Sequence, residues 1–455
     1  MSTEPQIPLD FAPISGKRVE ATFDGGNVTS DAGVLFLRAV EKGTGVIRGL
    51  VAAIQDRRDQ RYVDHSLEDL LRQRVFQIAQ GYEDGIDCND LRGDPAFKVG
   101  CERAPLSGED LASQPTMSRL ENSVSRSDLY RMAQALADSF IASYTTPPEA
   151  IILDIDDTDD PTHGAQQGSL FNGYYGEYCF LPLHLYEGQS GKLITTILRP
   201  GVRPSGAEVV MILKRVVAYL RQAWPSVAIF LRGDSHFSAP EVHEFCDAEK
   251  VEFVLGQGGN AVLKRKAAER LAQAQALHRT AQAERPAGAP DETTRLFTSF
   301  FYQADTWEKP QRVICKVEVS DQGDNLRFVV TSLQSSQPSF IYKTIYCARG
   351  RMENYIKDHK TFLLSDRTSC HSWEANQFRL FLHSAAYVLL QTLEEIGLAH
   401  THWVQVQFNT LQRRLLKVGA RVNELKTKIT FHLPTSFPLK EIFRKILFQL
   451  NTAYP

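Results

Sequence analysis

Over most of the first 143 residues, apolar positions recur three or four apart. Residues 30–40, 66–78 and 127–141 each open on a capping-type residue and then keep that period, which predicts amphipathic helices. Ahead of them, 18–23 alternates as a short strand that turns at Asp24-Gly25-Gly26-Asn27. Residues 1–16, with Pro5, Pro8 and Pro13 among polar neighbours, read as a flexible arm. Between the helices, Ser113-Gln114-Pro115 is a start signal for a short helix carrying Ser118 and Arg119.

Past Pro147-Pro148 the period changes from helical to extended. Residues 150–155 form a buried-type apolar run that ends in carboxylates. Two β-rich segments, 175–186 and 192–199, flank Gly188 and Gly191 as a hairpin. Helix 208–222, strand 227–231, helix 239–248 and strand 252–255 follow. The order βββαβαβ predicts an α/β fold of ribonuclease-H-like topology, whose first and fourth strands lie side by side. Residues 257–340 interrupt it with a helical stretch, a Pro/Gly break at 286–291 and strands near 295–304, 311–319 and 326–333; helical periodicity then resumes from 339 to 396. The organisation expected is an arm (1–16), a mainly helical domain (17–145), an α/β core (146–256 and 341–400), an inserted β-rich subdomain (257–340) and a basic helical C-terminal region (401–455).

Composition narrows this modestly. A chain of 455 residues exceeds what one core usually covers, and 43% hydrophobic with 23% charged residues is ordinary for a globular protein. No apolar run approaches the ~20 residues that span a bilayer, and the N-terminus carries no signal pattern. Seven scattered cysteines without a CxxC pair suggest neither a disulfide framework nor a zinc site. A cytoplasmic protein is expected. The net charge of −3 does not announce a nucleic-acid binder, but its distribution does more. From 401 to the end, nine Lys/Arg stand against two Glu, and residues 260–285 hold six Lys/Arg against two Glu. Basic tracts beside an acidic site suit an enzyme that grips phosphates while concentrating cations. Arg119 on its short helix is a further candidate DNA contact, in the manner of a helix-turn-helix.

Two-metal phosphoryl transfer needs carboxylates that bridge two ions, and Mg²⁺ prefers hard oxygen donors. Asp156 closes the run Ile151-Ile152-Leu153-Asp154-Ile155-Asp156, with Asp154 one strand period away in reserve. Asp234 stands just beyond Ile229-Phe230-Leu231-Arg232-Gly233. The third carboxylate is Glu353: at helical spacing Tyr346, Arg349, Glu353 and Lys360 share a face.

Tyr346-x2-Arg349-x3-Glu353-x6-Lys360 resembles the YREK signature of bacterial insertion-sequence transposases of family four. Asp156-Asp157-Thr158-Asp159-Asp160-Pro161-Thr162-His163-Gly164, Gly173-Tyr174-Tyr175 with Cys179-Phe180-Leu181-Pro182-Leu183, and Ala375-Asn376-Gln377-Phe378-Arg379-Leu380 resemble the related family thirteen-eighty. The likeness runs from about residue 20 onward. It implies a DDE transposase with two Mg²⁺ ions (Mn²⁺ able to substitute) on Asp156, Asp234 and Glu353, and with Tyr346, Arg349 and Lys360 on phosphates near the element end. It further implies cut-and-paste transposition through a hairpin intermediate. The partners would be double-stranded DNA, as terminal inverted repeats and target, and a second copy in a synaptic homodimer bound to the nucleoid. An aromatic residue of the inserted subdomain would stack on a flipped base, with Trp307 as candidate.

Two alternatives compete. Asp154-Ile155-Asp156-Asp157-Thr158 also fits the DxDxT motif of haloacid-dehalogenase-like phosphatases, with Asp154 as nucleophile. The other is a transposase-derived DNA-binding protein that no longer cuts.

Overall fold

The computed structural model describes residues 8–286 and 290–454, and the chain divides into two compact units. One comprises 132–361 and 368–384 and is built on an eight-stranded mixed sheet. In chain order its strands are β1 (Ala150–Asp157), β2 (Leu183–Glu187), β3 (Leu193–Ile197), β4 (Ala228–Gly233), β5 (Glu252–Gln257), β6 (Thr294–Tyr302), β7 (Gln311–Ser320) and β8 (Gly323–Thr331). Their spatial order is β6-β7-β8-β5-β4-β1-β2-β3. The first three form an antiparallel meander, and β4 and β5 run parallel to β1. Helix α1 (Gly206–Ala223) makes the crossover to β4 and α2 (Pro240–Ala248) the crossover to β5.

Alternation along β1 assigns its two faces. Ile151, Leu153 and Ile155 enter the main core with Val209, Leu213 and Val217 of α1 and with Leu231, Phe237 and Phe253. Asp154 and Asp156 therefore project from the opposite face. There Phe230 and Val254 pack against Ile341 and Tyr342. These last belong to a helical run from Pro338 to Phe362. That run is irregular: π-turns at Ile341–Tyr346 and Asp358–Phe362 enclose a 3₁₀ turn, Cys347–Arg349, and a regular helix α3 (Gly350–Lys357). The helix expected to run on through residue 372 instead breaks after Phe362 and restarts at Trp373.

Residues 257–340 differ from the expected subdomain. After helix Ala261–Glu284, β6, β7 and β8 extend the central sheet, because β8 pairs antiparallel with β5 from Val254↔Thr331 to Gln257↔Phe328. An unpaired β5 would expose an edge of backbone N–H and C=O groups, and β8 satisfies them. Of the break read at 286–291, residues 287–289 lie outside the described residues.

The second unit comprises 1–131, 362–367 and 385–455. Its helices include Val34–Thr44, Val46–Ala53, Leu67–Ala79 and Gln114–Glu121. The third starts on a capping box between Ser66 and Asp69. Residues 1–7 of the expected arm lie outside the described residues, whereas Leu9–Ile14 is a strand paired with Lys17–Ala21. The C-terminal region is not wholly helical. Ala420–Leu425 pairs with both Lys428–His432 and Val28–Thr29, ahead of helix Lys440–Ala453. Its strand period, with Ala420 and Val422 buried and Arg421 and Asn423 exposed, is short and masked by the charges around it.

Candidate active site

β1 and β4 pair in parallel register with Asp154 opposite Arg232 and Ile155 opposite Gly233. One further step sets Asp234 beside Asp156. Burial, together with the charges of Asp234 and Asp157, pushes the Asp156 carboxyl up to about 7 against the pull of Arg349. Arg349 Nη1 donates to Asp156 Oδ2 at 2.6 Å. Tyr346 lies on the same edge: a Cβ placed on Gly256 of β5 would stand 2.9 Å from its hydroxyl and 2.7 Å from the Ser235 nitrogen. Burial and the Asp234 charge raise the Tyr346 phenol against the pull of Arg349. Lys360 Nζ sits 2.9 Å from Asp159 Oδ1 and also bonds the Asp159 carbonyl.

Glu353 is not drawn into this group. It lies exposed on α3, one turn beyond Arg349 on the same side, with no hydrogen bond or ion pair. Among the described residues, Asp156, Asp234 and Glu353 do not form a trio with donor atoms within 4.8 Å of one another. Carboxylates repel, and Arg349 rather than a third acid meets the charge of Asp156. The helical run is held over the sheet by the Tyr186 hydroxyl, 3.1 Å from His359 Nδ1, and by the Tyr355 ring packed on Gly191.

The reserve aspartate is engaged elsewhere. Asp154, fully buried, takes a bidentate pair of bonds from Arg232 at 2.6 and 2.7 Å, and the Gly188 backbone lies over the pair. A carboxylate so enclosed cannot reach a phosphoryl group, which removes the phosphatase reading with Asp154 as nucleophile. Arg232 was not singled out in the sequence, although a charge inside an apolar strand, two residues before Asp234, signals a buried partner. His236 was missed as well: its Nδ1 stands 3.3 Å from Asp157 Oδ1, and that hydrogen bond raises its pKa.

Trp307 is 8% exposed and packs edge-on against His243 and Tyr302 at 5.0 and 5.2 Å. That is an aromatic packed into the main core. Arg119 is exposed on Gln114–Glu121 in the other unit, where it bonds Thr116 Oγ1 at 3.0 Å. One other cluster offers metal-ligand types, His278 with Asp291 and Asp321. Arg285 already pairs with both carboxylates, at 3.1 and 3.3 Å, so the cluster reads as a compensated charge network. Among the described residues, no helix is long and apolar enough to cross a membrane.

The model of the family described as transposase DDE domain group 1 matches residues 11–454. No curated protein matches the chain. Solved structures also align, and two of them do so at low identity. The first, piggyBac transposase in a synaptic complex with hairpin DNA, is 12% identical and aligns over 94% of this chain and 86% of that one, with a TM-score of 0.42. The second, a simian T-cell lymphotropic virus intasome with PP2A regulatory subunit B56 gamma, is 11% identical over 42% of this chain and 81% of that one, with a TM-score of 0.19.

Proposed function

Because the chain belongs to the family of group 1 DDE-domain transposases, we propose that it cuts the ends of its own element and joins them to target DNA, with Asp156, Asp234 and Glu353 as its catalytic carboxylates. The observation that carries the assignment is the register of β1 and β4, which brings Asp156 and Asp234 together at the ends of adjacent parallel strands. The strand order β3-β2-β1-β4-β5 supports a ribonuclease-H-like core.

The donor set fits divalent magnesium or manganese. Both aspartates offer hard oxygens, and a cation would offset the burial and, secondarily, the crowding that lift Asp156 to about 7. Two such ions would activate the attacking oxygen and stabilise the leaving one. Asp154, locked to Arg232, is left out of the set. Glu353 stands one helical turn beyond Arg349, whose guanidinium bonds Asp156.

The remaining residues hold the DNA. A phosphate entering the site competes with Asp156 for the Arg349 guanidinium, and with Asp159 for the Lys360 ammonium. Tyr346 positions Arg349 and the Asp234 loop. The YREK spacing supports a hairpin intermediate on the element end, and concerted cutting of two ends calls for a homodimer. Arg119 and the basic C-terminal tract supply further DNA contacts. The test incubates the full chain and Mg²⁺ with duplex carrying the element's inverted-repeat ends. Nicks and then hairpins are expected from the wild type, and neither from Glu353→Ala with binding retained. Cleavage that survives Glu353→Ala or Asp234→Ala would overturn the residue assignment.

A further inference from the structure

The connection between β1 and β2 carries a structure that the catalytic assignment does not use. Three residues after Asp157, Asp160–Pro161 enters a small sheet with Glu177–Phe180 at its centre and Leu170–Asn172 at its far edge. The last two strands form a hairpin whose tip is Gly173-Tyr174-Tyr175-Gly176. Asn172 frames that tip: its Oδ1 accepts from the Tyr174 and Tyr175 nitrogens at 2.9 and 3.3 Å, and its carbonyl accepts from the Gly176 nitrogen at 2.8 Å. Gly176, at φ +75°, supplies the left-handed residue that closes the turn.

On this frame the large side chains point outward. Tyr174 is 88% exposed, Tyr178 60% and Phe171 54%. Phe171 and Tyr178 are cross-strand partners with rings 5.5 Å apart, and Tyr174 meets Tyr175 edge-on at 5.0 Å. So concentrated an exposed aromatic patch marks an interaction surface.

Its base is tied to the catalytic edge. Asn172 Nδ2 donates to the Gly201 carbonyl at 2.9 Å, and Arg203, two residues on, donates to the Ser235 carbonyl at 2.5 Å, directly after Asp234. Phe180 packs edge-on against Trp373 at 5.5 Å, which fixes the hairpin from below. Tyr175 stands close enough to Asp159, Asp157 and Asp156 for their charges to act on its phenol.

The hairpin itself contributes no phosphate grip. From Gly164 to Gly191 there is no Lys or Arg. Aromatic faces without cations suit the faces of bases rather than the backbone, and within a duplex those faces are already stacked.

We propose that hairpin 170–180 is a stacking platform for unpaired bases of the DNA held at the aspartates, with Tyr174, Tyr178 and Phe171 as its contact rings. The proposal rests on the DNA-cleaving reading. It moves base contact from the inserted strands, where Trp307 is buried, to the β1–β2 connection.

The test uses the full chain and two forms of the element end, one blunt and one with a four-nucleotide unpaired tail, followed by anisotropy. The wild type is expected to prefer the tailed end. Tyr174→Ala/Tyr178→Ala should weaken tailed binding roughly ten- to a hundredfold while leaving blunt binding within about twofold. Tyr174→Trp should retain the preference, and a tail of abasic nucleotides, which keeps every phosphate, should abolish it in the wild type. Equal binding of both ends by wild type and double variant would overturn the platform, as would a preference that survives in the abasic tail. A change in molecular mass on substitution, with tail affinity unchanged, would overturn it in favour of contact with a second copy. Cleavage of the blunt end is scored in parallel. A wild type that cuts but ignores tails refutes the platform alone, whereas one that prefers tails but never cuts refutes the cleavage reading and leaves the base-binding surface in place.

Discussion

Two aspartate–arginine pairs lie two residues apart on one face of β1, and they are built for opposite purposes. Asp154 and Arg232 sit on neighbouring strands, 0% and 3% exposed in their side chains, joined by two short bonds beneath the Gly188 backbone. Asp156 and Arg349 stand where the strand ends, 15% and 17% exposed, joined by one contact to an irregular helical run. The inner pair cannot be opened without leaving a charge in the interior. The outer pair is partly open to solvent, and under the proposed function it exchanges partners with a cation and a phosphate. The same two side-chain types become scaffold or site according to whether a second strand or a helix brings the arginine.

The contrast can be broken from its active side first. Asp156→Asn should lower end cleavage by about a thousandfold or more, since bound metal contributes several kcal/mol to the transition state. Folding stability should stay level or rise, because one of the crowded carboxylates is gone; urea titration beside a nicking assay reads both. Arg232→Met should do the reverse in kind, removing about 3–5 kcal/mol of stability by stranding Asp154. Adding Asp154→Leu to it should recover most of that loss; no recovery would mean that the pair is not the unit of stability. Chelation sharpens the same distinction: Mg²⁺ at a hundred times its dissociation constant should add about 2.7 kcal/mol to wild-type stability. The gain should vanish in Asp156→Asn and Asp234→Asn and persist in Glu187→Gln, whose carboxylate accepts from the β2–β3 turn and from the Ile152 nitrogen of β1, away from the strand ends. Smallest, Gly188→Ala should cost about 2 kcal/mol, because its Cβ would stand 2.4 Å from Arg232 Nη2 and 2.5 Å from Asp154 Oδ2. A neutral result there would mean that the turn yields and the inner pair is looser than its distances imply.

How far the chain could be read before folding divides along the same line. The strand ends at Asp156 and Asp234 were legible because apolar runs stop there, whereas the spacing that singled out Glu353 put it on one helical run with Arg349 without bringing it to the aspartates. The choice between Asp154 and Asp156 was not legible, since both obey the strand period and only the cross-strand register reveals Arg232. The three strands of 294–331 were recognisable as strands, but not as the continuation of β5, because an edge's need for a partner is not a local property. Trp307 was a stacking candidate that no motif placed, and its burial has the same origin: once β6, β7 and β8 join the sheet, it packs on α2 through His243. Tyr174 was noticed within a family likeness and Tyr178 was not, and the platform proposed for them needed the turn geometry of Asn172.

The bond between Arg349 and Asp156 joins residues 193 positions apart. During synthesis at about 5–20 residues per second, roughly 10–40 seconds separate the two side chains as they leave the ribosome. Throughout that interval the first aspartate exists without the helical run that carries Arg349 and Glu353. A nascent chain thus carries Asp156 and Asp234 well before the side chain that pairs with Asp156, and the proposed site is complete only after the helical run has emerged.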